Sequence, residues 1–278
     1  MNYHRIIFAD AQRMQELNDR SIHLMITSPP YFNAPFDYAD FFSNYNEFLS
    51  IIENIATETY RVLANGRICC INCDDMLVKG QKFPIVADLT KIFIDAGFRY
   101  RDRIIWKKPN GYIRISRRSG VLIQNPYPMY FYPDNLLESI LIFQKGKFDY
   151  QKFKKEKNGT FANSRIDLNE VQESKWYLTI WEMTNVLPKK RIEKKEDISV
   201  AAFPDELPYR LIKLFSFVGE TVLDPFLGSG TTIKVANMLQ RNGIGYEIDQ
   251  RLLPIIKEKI GLNNSSKRKA QFEFFYRS

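Results

Sequence analysis

The sequence predicts an α/β fold built on a doubly wound, mostly parallel sheet. Three observations carry that expectation. Short apolar runs bounded by turn residues alternate with helically spaced runs along most of the chain. The run 22–26 ends in Thr27-Ser28-Pro29-Pro30-Tyr31. The run 221–223 ends in Asp224-Pro225-Phe226-Leu227-Gly228-Ser229-Gly230-Thr231-Thr232. Both read as sharp turns at the carboxyl ends of buried strands, the edge where open α/β sheets bind ligands.

Residues 4–10 read as a short buried strand ending on Asp10, and 11–18 as a helix. Residues 22–27 form a strand stopped by two prolines, which lack N–H donors and restrict the residue before them. An aromatic and aspartate-rich loop covers 32–42. From Tyr45 to Leu63 the residues Phe48, Leu49, Ile52, Ile55, Ala56, Val62 and Leu63 follow helical spacing, and Asn65-Gly66 ends the helix. A strand at 67–72, a helix at 85–96 before Gly97, and a strand at 99–106 follow. A Pro- and Arg-rich loop runs from 107 to 133, and 139–143 is a strand. Between 145 and 197 the pattern dissolves into lysine, asparagine and glutamate with scattered aromatics. This predicts one domain from 1–144 and 198–278, with 145–197 as a variable insert. Alternation resumes with a helix at 205–216, a strand at 221–224, a helix at 231–240, a strand at 243–248 and a helix at 251–260. Residues 271–276 alternate weakly, as an edge strand would.

The 278 residues carry a formal charge of +8, which suits a polyanionic partner without singling one out. Cys69, Cys70 and Cys73 cluster, but the only histidines, His4 and His23, are remote, so a zinc set is not expected. The cysteines read as reduced thiols in a buried strand of a cytoplasmic protein. No signal peptide is seen, and no apolar run approaches the roughly 18 residues of a membrane span.

Glycine in Gly228-Ser229-Gly230 lets backbone approach a ligand closely, and the helix start after it presents free N–H groups to an anion. No Gly-Lys-Ser/Thr follows, so this is no P-loop, and no third glycine completes a dinucleotide fingerprint. Glu247 ends the next strand and suits two ribose hydroxyls. Asp224 suits an ammonium group, and the helix start a carboxylate. Ribose, ammonium and carboxylate together describe an amino-acid nucleoside such as S-adenosyl-L-methionine. In the proline turn, the Ser28 hydroxyl and an outward carbonyl suit a neutral exocyclic amine. Tyr31 offers a stacking face, worth roughly 1–3 kcal/mol per base. The plainer readings are a glycine turn with a surface acid, and a rigid turn with a core tyrosine.

Taken in order, these strings resemble the amino-group DNA methyltransferases of the β arrangement, in which the catalytic half precedes the cofactor half. Ser28, Pro29, Pro30 and Tyr31 resemble the catalytic motif. Asp224 to Phe226 and Gly228 to Thr232 resemble the methionine-binding motif, and Glu247 with Ile248 the ribose contact. Phe203 and Pro204 resemble a helix-opening segment lining the cofactor pocket, and Asp10 with Ala11 the contact to the adenine amino group. Residues 105–110 resemble the edge of the target pocket. The resemblance covers nearly everything but 145–197. It implies a seven-stranded, circularly permuted, Rossmann-like methyltransferase sheet. It also implies S-adenosyl-L-methionine as methyl donor and direct transfer to a base flipped out of double-stranded DNA. A homodimer and a cognate restriction-modification endonuclease are the partners it suggests.

In that family a serine before the two prolines goes mostly with cytosine N4, and an aspartate or asparagine with adenine N6. Cytosine N4 is therefore the expected target, with adenine N6 as runner-up. Cytosine C5 is disfavoured separately, because that chemistry normally uses a Pro-Cys nucleophile and none occurs. Lys107, Lys108, Arg114, Arg117 and Arg118, with Tyr112 among them and no acid, suit phosphate contact. The lysines of the insert with Trp176, Tyr177 and Trp181 read either as a sequence-reading surface or as a linker. Methylation of RNA or of a protein amide, and a DNA-binding protein that lost catalysis, are the competing functions.

Overall fold

A strand buried on both faces needs a continuous apolar sequence, and several runs here have one. The computed structural model describes residues 2–32, 42–78, 80–109, 123–131, 133, 136–184, 203–262 and 270–277. The strands are β1 (Asn2–Phe8), β2 (Ile22–Thr27), β3 (Leu63–Cys73), β4 (Met76–Val78), β5 (Gln81–Phe83), β6 (Arg99–Lys107), β7 (Leu137–Gln144), β8 (Ile180–Glu182), β9 (Thr221–Asp224), β10 (Asn242–Glu247) and β11 (Ala270–Tyr276). Apart from the β4–β5 hairpin they form one sheet, ordered β11-β1-β10-β9-β2-β3-β7-β6-β8. Only β7 is reversed; it pairs antiparallel with β3 and β6. The carboxyl edge therefore gathers the ends of β1, β10, β9, β2, β3 and β6, together with the start of β7.

Helices cover both faces: α1 (Tyr45–Val62), α2 (Ile85–Asp95), α3 (Tyr150–Glu156), α4 (Asn158–Asn163), α5 (Leu168–Glu173), α6 (Glu206–Phe215), α7 (Thr231–Met238) and α8 (Leu253–Lys259). Asn44 caps α1 by accepting from the Glu47 N–H at 3.0 Å. Side chains alternate across a strand, so Met25 and Cys69 pack with Phe48, Ile52, Leu89 and Phe93 of α1 and α2. Leu24, Ile26 and Cys70 pack on the other face with Leu207, Leu211 and Val235 of α6 and α7. All three cysteines are buried free thiols in β3. Burial pushes their pKa values up, which keeps them protonated and unreactive.

Three expectations need correction. The sheet has nine strands, not seven, because β11 and β8 extend its two edges. Residues 11–18 form turns, not a helix. Their backbone groups are claimed by α1: Arg61 donates to the Leu17 and Met14 carbonyls at 2.9 Å each, and Glu58 accepts from the Met14 N–H at 2.6 Å. The described part of the insert is packed onto the body. Trp181 is 1% exposed and Trp176 5%, so neither reads DNA, whereas Tyr177 is 65% exposed. The Trp106 indole donates to the Met183 carbonyl at 3.0 Å and that of Trp181 to the Trp176 carbonyl at 3.1 Å. The Arg210 guanidinium lies over both insert tryptophans, at 5.0 and 5.7 Å.

The insert also crosses the sheet from edge to edge. Its start sits at the amino edge, where Arg67 lies over Phe148, Phe153 and Phe217. There the Val218 N–H donates to Ser164 at 2.7 Å. β8 then runs parallel to β6, with Lys107 opposite Glu182, and reaches the carboxyl edge. No helix among the described residues is long and apolar enough to cross a membrane.

Trp181→Ala is expected to destabilise the protein by about 3–5 kcal/mol, the usual cost of emptying such a volume. Urea unfolding checks this. A loss under about 1 kcal/mol would mean that β8 does not belong to the core.

Candidate active site

β2 and β9 lie side by side, with Leu24 opposite Val222 and Met25 opposite Leu223. Their ends therefore emerge together at the carboxyl edge. There the Thr27 hydroxyl donates to Asp224 Oδ1 at 2.7 Å, and the Thr232 hydroxyl to Oδ2 at 2.6 Å. The Phe226 N–H adds a 3.1 Å bond to Oδ1. Asp224 is 1% exposed, Thr27 2% and Thr232 0%. Burial pushes the Asp224 pKa up to about 7, against the opposing pull of the two hydroxyls and the N–H. Both oxygens accept bonds within the protein, so Asp224 acts as a clasp between the proline turn and the start of α7 beside the expected ammonium site.

The glycine turn is fixed from the other side. Gly228 and Gly230 have φ of 53° and 88°, the left-handed region that glycine enters without strain. The Gly228 N–H donates to Glu247 Oε2 at 2.8 Å, and the Asp249 N–H to Oε1 at 2.9 Å. Burial raises the Glu247 pKa to about 6, and those N–H groups hold it down. A carboxylate has about four lone-pair sites, more than these donors fill, so it retains capacity for hydroxyl groups. A Cβ at Gly245 of β10 would lie 2.6 Å from the Leu227 side chain of the turn, which would have to shift.

β1 pairs with β10, Phe8 opposite Glu247, which carries Asp10 to the same edge. The Asp10 carboxylate is exposed and accepts from the Gln12 N–H at 2.9 Å and the Gln12 side chain at 2.7 Å. Ile248 is 56% exposed beside Glu247, while Ala11 is 5% exposed. Phe203 is 9% exposed in the core beneath α6. Pro204 and Pro225 are buried and Phe226 is half-buried. An Asp205–Lys234 ion pair ties the start of α6 to α7.

In the proline turn, Pro29 is buried, and Ser28, Pro30 and Tyr31 are half-buried. The Tyr31 hydroxyl donates to Glu138 Oε2 at 2.8 Å. Asn72 Nδ2 donates to the same oxygen at 2.6 Å, and the Lys108 ammonium pairs with Oε1. Burial and the Glu138 charge push the Tyr31 pKa well above its usual value, so it stays a phenol. Burial alone would raise the Glu138 pKa, but the Lys108 charge and the three hydrogen bonds bring it below the usual carboxylate range.

Lys108, expected on DNA phosphate, is instead 5% exposed and bound to Glu138. A cation in that enclosure needs a carboxylate more than it can use a phosphate outside. Lys107 is at the surface, 2.7 Å from Glu182. Arg114, Arg117 and Arg118 lie outside the described residues. Sequence reasoning missed Asn72 and Glu138. The available signal was an acid heading the otherwise apolar run 139–143.

Comparison with known proteins places the chain. Residues 22–258 match a family model described as DNA methylase. The Type II methyltransferase M.MjaI of Methanocaldococcus jannaschii is 37% identical over 290 residues, covering 93% of this chain and 91% of that protein. M.MthZI of Methanothermobacter thermautotrophicus, also a Type II methyltransferase, is 33% identical over 282 residues, covering 92% and 76%. Among solved structures, a candidate DNA modification methylase of Thermus thermophilus, complexed with S-adenosyl-L-methionine, superposes with a TM-score of 0.71. It is 26% identical, covering 98% of this chain and 99% of that one.

The Asp224 clasp has a pH signature. Its folded pKa of about 7 lies above the ordinary 3.8. Its contribution to stability is therefore fully present below about pH 4 and is lost as pH rises through about 7. Asp224→Asn lacks this titration. From pH 5 to 8 the wild type should lose about 2–3 kcal/mol relative to that variant in urea unfolding without cofactor. A constant difference would mean that Asp224 titrates as an ordinary surface acid.

Proposed function

The chain belongs to the DNA methylase family that modifies base amino groups, and from that membership we propose that it methylates cytosine N4 in double-stranded DNA. It is an S-adenosyl-L-methionine-dependent DNA amino-methyltransferase. The observation that supports methyl transfer at this edge is the Thr27–Asp224 bond, which sets Ser28-Pro29-Pro30-Tyr31 beside the glycine turn. Ser28 at the head of that turn favours cytosine by family resemblance.

The residues present fit the methyl donor. Glu247 has lone pairs for ribose hydroxyls, Asp10 has an exposed carboxylate for an adenine amine, and Ile248 an open apolar face. The left-handed glycines and the start of α7 suit the amino-acid end. When bound, the donor supplies an electrophilic methyl group on a positively charged sulfur. The protein's part is positioning and polarisation. The Ser28 hydroxyl and the Pro29 carbonyl accept the two N–H bonds of the flipped base's amine. That draws the nitrogen lone pair out of ring conjugation and aims it at the methyl carbon. Tyr31 stacks under the base. The nitrogen gains one carbon bond and gives up one proton, which the half-exposed Ser28 hydroxyl passes toward solvent.

β6 and β8 end side by side at this edge, and the segments after Lys107 and after Thr184 follow them in the chain. Their basic residues, with the half-buried Lys107 beside Glu182, are the proposed phosphate contacts. Target recognition is proposed for the insert 145–197, in which Tyr177 is exposed and 185–197 lie outside the described residues. A homodimer and a cognate restriction endonuclease are carried on family resemblance.

Incubation with S-adenosyl-L-methionine and unmethylated DNA, then nucleoside mass spectrometry, should give N4-methyldeoxycytidine. N6-methyldeoxyadenosine would overturn the choice of base, and no methylated nucleoside would overturn the activity. Ser28→Ala should lower turnover roughly 100-fold, the scale of losing one aimed hydrogen bond, with cofactor affinity unchanged by calorimetry. Full turnover in that variant would remove Ser28 from the mechanism.

A further inference from the structure

The Tyr31 ring is tethered at its far end. Its hydroxyl meets a carboxylate that also holds an amide and an ammonium, and all three partners are enclosed: Glu138 6% exposed, Asn72 3% and Lys108 5%. They converge from strands adjacent in the sheet. Tyr31 follows β2, Asn72 is near the end of β3, Glu138 opens β7 and Lys108 follows β6. The reversal of β7 is what brings its first residues to the carboxyl edge.

A buried ion pair adds little net stability over a well-packed apolar pair, while breaking one is costly. Fold stability alone therefore does not explain this cluster. The two Glu138 oxygens are held by three donors, and in the cluster only Asn72 Oδ1 lacks a partner among the described residues. A carboxylate bonded in this way restrains what it binds. An apolar pocket could enclose the Tyr31 ring but would let it slide and tilt. A carboxylate held from two sides fixes the phenol oxygen, and with it the plane of the ring. Tyr31 as a residue is half-buried, with its hydroxyl end enclosed by Glu138.

We propose that Glu138, anchored by Lys108 and Asn72, is the positioning residue that fixes the Tyr31 ring as the plate under the extruded base, so that Tyr31 acts through its face while its hydroxyl serves only as the tether. This rests on the reading of Tyr31 given above. Glu138 touches neither base nor donor in this account; its effect passes through one hydrogen bond. Removing the hydroxyl and replacing the carboxylate both loosen the same hydrogen bond, and the second also leaves Lys108 without its counter-charge.

The test uses the full chain, unmethylated plasmid DNA and tritiated S-adenosyl-L-methionine, with Tyr31→Ala, Tyr31→Phe, Glu138→Gln and the Tyr31→Phe/Glu138→Gln double variant. Tyr31→Phe and Glu138→Gln should each lower kcat about tenfold. The double variant should be no slower than the worse single one, and KM for the methyl donor should stay unchanged. A merely structural role for Glu138 would instead give losses that multiply, and that result overturns the proposal. Full kcat in Tyr31→Phe alongside a large loss in Tyr31→Ala also overturns it, while leaving the stacking role intact. Full kcat in Tyr31→Ala would instead refute the stacking role itself. Should Glu138→Gln fail to fold, Tyr31→Phe, which deletes one oxygen, decides alone.

Discussion

One buried carboxylate joins the two halves of this site. Asp224 accepts from Thr27, which ends β2, and from Thr232, in the first turn of α7. Thr27 is 197 positions away in sequence, so only the sheet brings them together. Hydroxyl donors are well suited to the task. They satisfy the carboxylate without adding a second buried charge, whose desolvation would be costly. They also pin the last residue of β2 just before Ser28, and the second residue of α7 just after Gly230. The orientation of both turns follows from that clasp and from the parallel pairing of β2 with β9.

Two enclosed carboxylates on the same edge have pKa values shifted in opposite directions. Asp224 has only neutral donors, and burial carries its pKa up to about 7. Glu138 has the Lys108 ammonium beside it and is held as an anion. The difference is one of partner and not of depth, since both are nearly sealed from water. On the donor side, a positive group arriving near Asp224 favours its charged form. On the target side, charge is already balanced and the geometry is fixed before any base enters.

Much of the fold was legible in the sequence, for identifiable reasons. β2 and β9 are continuous apolar runs because both of their faces are covered. The turns after them were legible because proline and glycine restrict or free the backbone in ways no neighbour overrides. What sequence could not supply was partnership. Met14 and Leu17 are spaced as on a helix, but Arg61 and Glu58 take the backbone groups that a helix would have used. Lys108 looks like its neighbour Lys107, and only Glu138, thirty residues on, makes it a buried cation. Trp176 and Trp181 sit in a polar stretch and read as surface aromatics, until β8 joins β6 and encloses them. Glu138 and Asn72 carried no motif; their meaning lies in the reversal of β7.

The clasp itself is the most exposed claim, because Thr27 is expected to touch no part of the methyl donor. Calorimetric binding of S-adenosyl-L-methionine to the wild type, Thr27→Val, Asp224→Asn and the double variant tests it directly. The account predicts that Thr27→Val weakens binding and that the double variant loses less than the sum of the single losses, with a coupling of about 1 kcal/mol or more. Unchanged affinity in Thr27→Val, or losses that simply add, would contradict it.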